Sequence, residues 1–304
     1  MASAEGVTES RSLRKGILCI LLSAFGFALM AMFVRLADFC GEERLPSVQK
    51  AFFRNLVAVL IAGWAFFRHP SSVGRKSPFP MEGRTWRDLL LRCVFGSIGI
   101  FANFYALTHI PVADAMALNK TAPFFTLLMS WIILGQRMTL CQLLCVLGAF
   151  AGAMFVIKPG VGVFSGPALI GLASGLSAGA AYAYLHKLGK AGVDGAFIIF
   201  FFSVFSCAAC VPFLVCGFAP MSLLQIGVLL AAGASAVLGQ FGITWGYRFA
   251  EPRQVAVYDY AGIIFASILG FLAFGQIPDM FSAIGFAAII VMGLALHSRL
   301  HESK

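Results

Sequence analysis

Charge is what this sequence has least of. Asp, Glu, Lys and Arg make up 12% of its 304 residues, against about a quarter in a soluble domain. Acidic side chains number only 13. With 60% hydrophobic residues and a mean hydropathy of +0.90, a soluble fold would need a core far too large for the chain. An integral membrane protein is therefore expected, with no room for a sizeable extra domain.

Catalytic and energy-coupling motifs are missing too. There is no Walker loop, so ATP does not drive the process directly. No Gly-x-Ser-x-Gly elbow or His-Glu-x-x-His helix occurs. The C-x-x-C of Cys207 and Cys210 has no second pair and no nearby histidine, and most of the 8 cysteines lie in apolar runs. They read as packing residues rather than zinc or redox groups. No enzyme activity, cofactor or metal is expected. The net charge of +9 does not mark a nucleic-acid binder, because the basic residues sit mostly in short loops between apolar runs and act as topology signals.

What is present is a series of spans. Ten are expected, near 16–36, 46–67, 88–108, 112–134, 139–157, 165–187, 195–216, 222–247, 253–274 and 279–298. The first follows Arg11, Arg14 and Lys15, but its apolar run continues past Met32 without a clear cleavage site, so it reads as a retained span rather than a signal peptide. The stretch from Arg68 to Arg87, with Pro70, Gly74, Pro78 and Pro80, reads as an exposed linker.

The basic residues orient these spans. With the N-terminus inside, one side holds Arg11, Arg14, Lys15, Arg68, Arg75, Lys76, Arg84, Arg87, Arg137, Lys187, Lys190, Arg248, Arg253, Arg299 and Lys304, while Arg44 and Lys158 alone fall outside. The bias predicts two cytoplasmic termini. Arg35 and Arg92, near span ends, are expected to snorkel.

The stretch from Ile110 to Gln136 recurs 140 residues later as Ala250 to Gln276. Gly135-Gln136 falls on Gly275-Gln276, Phe125 on Phe265, Asn119 on Asp259 and Lys120 on Tyr260. Five spans separate the two, so the second copy is inverted. Inverted repeats with polar groups at the midplane are a common architecture of secondary transporters. Lys120 lies about 13 Å into its span, where a lysine costs at least ~2.5–3.5 kcal/mol. Pro123, lacking an N–H, breaks the helical hydrogen bonding beside it.

The intramembrane charges expected are Lys50, Arg54, Lys120, Asp259 and His186, the last as a boundary residue. Lys50 and Arg54, at i and i+4, share a face. Asp259, flanked by Tyr258 and Tyr260, reads as the only carboxylate at depth and needs Lys120 or Arg54 as partner. Such a bridge locks the repeats together or serves as a gate or binding pair, and it can do both. The excess of cations points to an anionic or zwitterionic ligand. Asn119, Asn103, Tyr105, Tyr182, Tyr184, Gln240 and Trp245 are further lining candidates. Gly171, Gly175 and Gly179, and Gly242 with Gly246, have the spacing of close helix contacts, within the bundle or across a homodimer.

These residues resemble the EamA family of the drug/metabolite transporter superfamily. The resemblance rests on Ile110-Pro-Val-Ala-Asp-Ala, Pro123-Phe, Leu134-Gly-Gln and Ile157-Lys-Pro in the first half. Ala250-Glu-Pro-Arg-Gln-Val-Ala-Val-Tyr-Asp-Tyr and Gly275-Gln-Ile-Pro carry it in the second. Arg54 matches the arginine usual in the family's second helix, whereas Gln136 and Gln276 stand where the family commonly has glutamate. The resemblance implies an all-α protein of ten transmembrane helices as two inverted five-helix repeats, 16–158 and 165–298, between cytoplasmic tails at 1–15 and 299–304. It implies a secondary carrier in the inner membrane working by alternating access on a small metabolite. A non-transporting scaffold and a lipid flippase are the rival readings. Residues expected at the substrate are Lys50, Arg54, Asn103, Tyr105, Asn119, Lys120, Gln240, Tyr258, Asp259 and Tyr260.

Overall fold

Apolar runs with no water to hydrogen-bond their backbone must satisfy it internally, and helices do so within one segment. The computed structural model describes residues 2–41, 44–68, 82–134, 139–157, 166–249 and 256–302, and among these there is no strand. The helices are α1 (Ala2–Leu36), α2 (Ser47–Arg68), α3 (Gly83–His109), α4 (Val112–Asn119), α5 (Ala122–Leu134), α6 (Leu140–Ile157), α7 (Gly166–Lys190), α8 (Gly195–Gly217), α9 (Leu223–Phe249), α10 (Ala261–Phe274) and α11 (Met280–Glu302). Short 3-10 turns cover Ala37–Phe39 and Ala256–Tyr260. Gln136, Lys158 and 250–255 lie outside the described residues, as do 69–81 in the linker and the His186 side chain.

Six of the helices, α1, α2, α3, α7, α8 and α9, carry segments long and apolar enough to cross a membrane. Shorter apolar helices run over Leu143–Val156, Tyr258–Phe274 and Met280–Ala295. The run at 112–134 is not one helix: α4 stops at Asn119 and α5 resumes at Ala122. Pro123 sits in the first turn of α5, where its missing N–H costs no helical bond.

The ends of the helices follow local chemistry. Asp194 caps α8, its Oδ1 accepting from the N–H of Ala196 at 2.7 Å and of Phe197 at 3.2 Å. Gly275, at φ 63°, closes α10 in the left-handed region that favours glycine. Gln276 then returns its N–H to Gly270 O at 3.2 Å and accepts from the N–H of Val112 through its side chain at 3.1 Å. That last bond ties the end of α10 to the start of α4.

Packing joins the two halves of the chain. The most extensive helix contacts are α1 with α9, α3 with α7, α6 with α11 and α2 with α8. Small residues set the closest crossings: a Cβ on Gly26 would lie 2.8 Å from Gly239 N. The glycine stripes are used inside the chain. Gly171 faces Leu118, Gly175 faces the Leu118 carbonyl, Gly179 faces Phe125, and Gly242 and Gly246 face Ser23 and Ile20 of α1.

Candidate functional site

Lys120 occupies the break between α4 and α5. Its N–H still donates to Met116 O at 2.8 Å, and its backbone sits at φ −70°, ψ 1°. The side chain therefore leaves the end of a helix rather than its flank. It reaches Asp259 on the second 3-10 turn, Nζ to Oδ2 at 2.6 Å. The Phe27 ring lies 5.8 Å from the ammonium, close enough for a cation–π contribution. Gly262 leaves space for the stem, since a Cβ there would stand 3.0 Å from Lys120 Cε. Beside it, Asn119 donates to Ser174 Oγ on α7 at 3.1 Å.

The second group surrounds Arg54. Its guanidinium is 3% exposed and donates from Nη1 to Asn55 Oδ1 at 2.6 Å. Asn55 in turn donates to Ser206 Oγ on α8 at 2.8 Å. A narrow cleft beside Arg54 is lined by Ala58, Ala62, Phe202, Val237, Gln240 and Phe241 among others. Its volume of about 10 Å³ holds roughly one water.

Arg92 was the residue that span-end reasoning misplaced. It does not snorkel: it is 5% exposed, with its guanidinium 4.1 Å from the centre of the Phe202 ring. Its guanidinium lies over Gly96, where a Cβ would meet it and the Phe202 ring. Arg35, also near a span end, is half-buried. Its Nη1 donates to the carbonyls of Leu107, at 3.1 Å, and Ile110, closing the C-terminal end of α3.

Lys50 shares a helix with Arg54 but not its surroundings. Fully buried, it pairs with Asp38 and donates to Thr108 Oγ1 at 3.0 Å. Two further carboxylates are buried near helix starts. Asp88 meets Lys187 at 2.8 Å, and Asp114 is buried in the first turn of α4, where a helix N-terminus favours negative charge. The other candidates scatter. Tyr258 is 38% exposed, Tyr260 packs in the apolar cluster of Phe124 and Ile263, and Tyr105 stacks on His109 at 4.2 Å. Asn103 is buried with Oδ1 lacking a hydrogen-bond partner.

The profile of the EamA-like transporter family matches residues 14–158. The pseudopaline exporter CntI of Pseudomonas aeruginosa is 30% identical over 286 residues, covering 93% of this chain and 96% of that one. The chain belongs to the EamA-like transporter family. Like its relatives, this EamA-like protein is a multi-pass membrane transporter. A riboflavin transporter of Brucella anthropi is 26% identical across 83% of this chain and 88% of its own. Solute carrier family 35 member G1 of Mus musculus is 27% identical across 95% and 80%. One crystal structure of a protein matches with a TM-score of 0.61 at 18% identity, covering 96% of this chain and 98% of that one, which establishes the fold alone. The names of these EamA-like and related carriers differ in substrate, so the ligand must be argued from the site.

Proposed function

We propose that this EamA-like chain is a ten-span secondary carrier built as two inverted five-helix repeats, 16–158 and 165–298. It moves a small anionic or zwitterionic metabolite across the inner membrane by alternating access, driven by the metabolite gradient or by protons. Both termini lie in the cytoplasm. The observation that carries this reading is the Lys120–Asp259 pair, which joins the helix break of one half to the 3-10 turn of the other.

The packing supports the repeat. If the spans are numbered one to ten, α1 on α9 joins the first to the eighth, and α3 on α7 joins the third to the sixth. A two-fold operation that exchanges the halves turns one contact into the other. The contacts of α2 with α8 and of α6 with α11 are then each their own mirror.

The end of the bundle assigned to the outside is stitched shut. Arg35 holds the end of α3, Lys50 holds Asp38 and Thr108, and Gln49 exchanges two hydrogen bonds with the Ala219 backbone at 2.9 and 3.0 Å. Lys50 belongs to this closure rather than to the substrate. Transport requires the Lys120–Asp259 contact to open and reform as the two halves rock.

Uptake or counterflow in proteoliposomes tests the reading. Arg54→Ala and Lys120→Ala are expected to insert and fold yet lose net transport, leaving at most a slow residual exchange. Normal transport by Lys120→Ala removes the lysine from the mechanism.

A further inference from the structure

The buried cations of this chain divide into two kinds. Lys50 is paired with Asp38 and Lys120 with Asp259. Arg54 and Arg92 are different. Among the described residues neither forms an ion pair with a carboxylate: Arg54 meets the Asn55 amide oxygen, and Arg92 meets the face of Phe202. Nε of both, and Nη1 of Arg92, are buried without a hydrogen-bond partner.

The two guanidiniums are also close enough for their like charges to interact. Phe202 connects them, since it carries Arg92 on its ring and lines the cleft beside Arg54. Arg54 lines the cleft, Arg92 lies against the Phe202 ring that helps to line it, and neither meets a carboxylate among the described residues. Water-poor surroundings make unanswered charges of this kind costly. A ligand that supplies two negative charges removes that cost.

We infer that Arg54 and Arg92 together bind an organic dianion once the cleft, which here holds about one water, widens as the carrier changes state, with the apolar body of the ligand along Phe202, Val237 and Phe241. This names the substrate class of the proposed carrier and rests on that reading. Planar guanidinium forks suit carboxylate and phosphoryl oxygens alike, so a dicarboxylate and an alkyl phosphate are the two sources of the same chemistry. Tyr182 lies within electrostatic reach of Arg54, Arg92 and Asp259.

The test uses the full-length protein purified in detergent and thermal unfolding as readout, because a ligand of the folded state raises the unfolding temperature. The probes are straight-chain dicarboxylates of graded length, their monomethyl esters, the matching diamines, and alkyl phosphates. Dicarboxylates or alkyl phosphates are expected to stabilise the protein, and whichever does so identifies the source. Monomethyl esters should act roughly tenfold more weakly, as loss of one charge-assisted contact predicts. Arg54→Gln and Arg92→Gln should each bring the dianion down to the level of its monoester, with partial rescue by Arg54→Lys and Arg92→Lys.

Equal stabilisation by ester and diacid, by diamines, or by neither dianion series overturns the inference. So does an Arg92→Gln protein that responds like wild type. Currents evoked on solid-supported proteoliposomes by a monoanion or zwitterion in that event would leave the carrier reading standing without a dianion. A dianion that binds in detergent but shows neither uptake nor counterflow in proteoliposomes would keep the site and count against transport.

Discussion

Lys120 and Asp259 stand 2.6 Å apart although 139 residues separate them in the chain. Lys120 lies between α4 and α5, and Asp259 lies in the 3-10 turn that runs directly into α10. A charge at a break moves with either neighbouring helix, so this pair can report on the relative position of the halves.

Removing one partner of a buried pair costs about 3–5 kcal/mol, chiefly through the charge left behind. Lys120→Gln and Asp259→Asn are each expected to lower thermal stability by amounts approaching that range. The double variant should lose less than the two singles together, with a coupling of roughly 0.5–3 kcal/mol. Thermal unfolding of all four proteins measures it. Additive losses would mean that the contact contributes nothing specific.

Lys50 should behave differently from Lys120. Lys50→Met leaves Asp38 unpaired, so stability should fall by about 3–5 kcal/mol. The apparent substrate affinity of the protein that does fold should stay near wild type. A large rise in KM with little change in stability would return Lys50 to the substrate site.

Gly96→Ala probes the seat of Arg92. The added Cβ would stand 2.8 Å from Phe202 Cε2 and would also press on the arginine. Overpacking of this kind costs roughly 1–3 kcal/mol, and binding should weaken beyond what the stability loss explains. Thermal-shift titration with the dicarboxylate series separates the two effects. Unchanged binding would show that the position of Arg92 against Phe202 is immaterial.

Much of this was readable from the chain. Composition alone implied helices and a membrane, and Pro123 with Lys120 marked the break between α4 and α5. The 140-residue offset brought Asp259 into view as a partner. A third span starting at residue 88 places Arg92 near an end and hides it. In the structure α3 begins at Gly83, putting Arg92 about 13 Å along it. The one local signal was Gly96, four residues on and therefore on the same face. The pairing of Lys50 is not legible for the converse reason: periodicity shows that two cations share a face, not that Asp38 waits opposite one of them. Pairings such as Lys187 with Asp88 depend on which helices meet, and hydropathy carries no record of that.

The central claim is that the Lys120–Asp259 contact opens during transport. Its most direct test replaces both residues by cysteine in a chain whose 8 native cysteines have been removed. A disulfide is shorter than the lysine stem it would replace, so a reducible methanethiosulfonate cross-linker with a matching spacer is used in proteoliposomes. Lys120→Cys, Asp259→Cys and the pair are first compared for residual counterflow of a compound that the wild type binds. If the account is right, cross-linking the pair stops the residual exchange, reduction restores it, and neither single variant responds. Exchange that continues with the cross-link shown to be complete would contradict it.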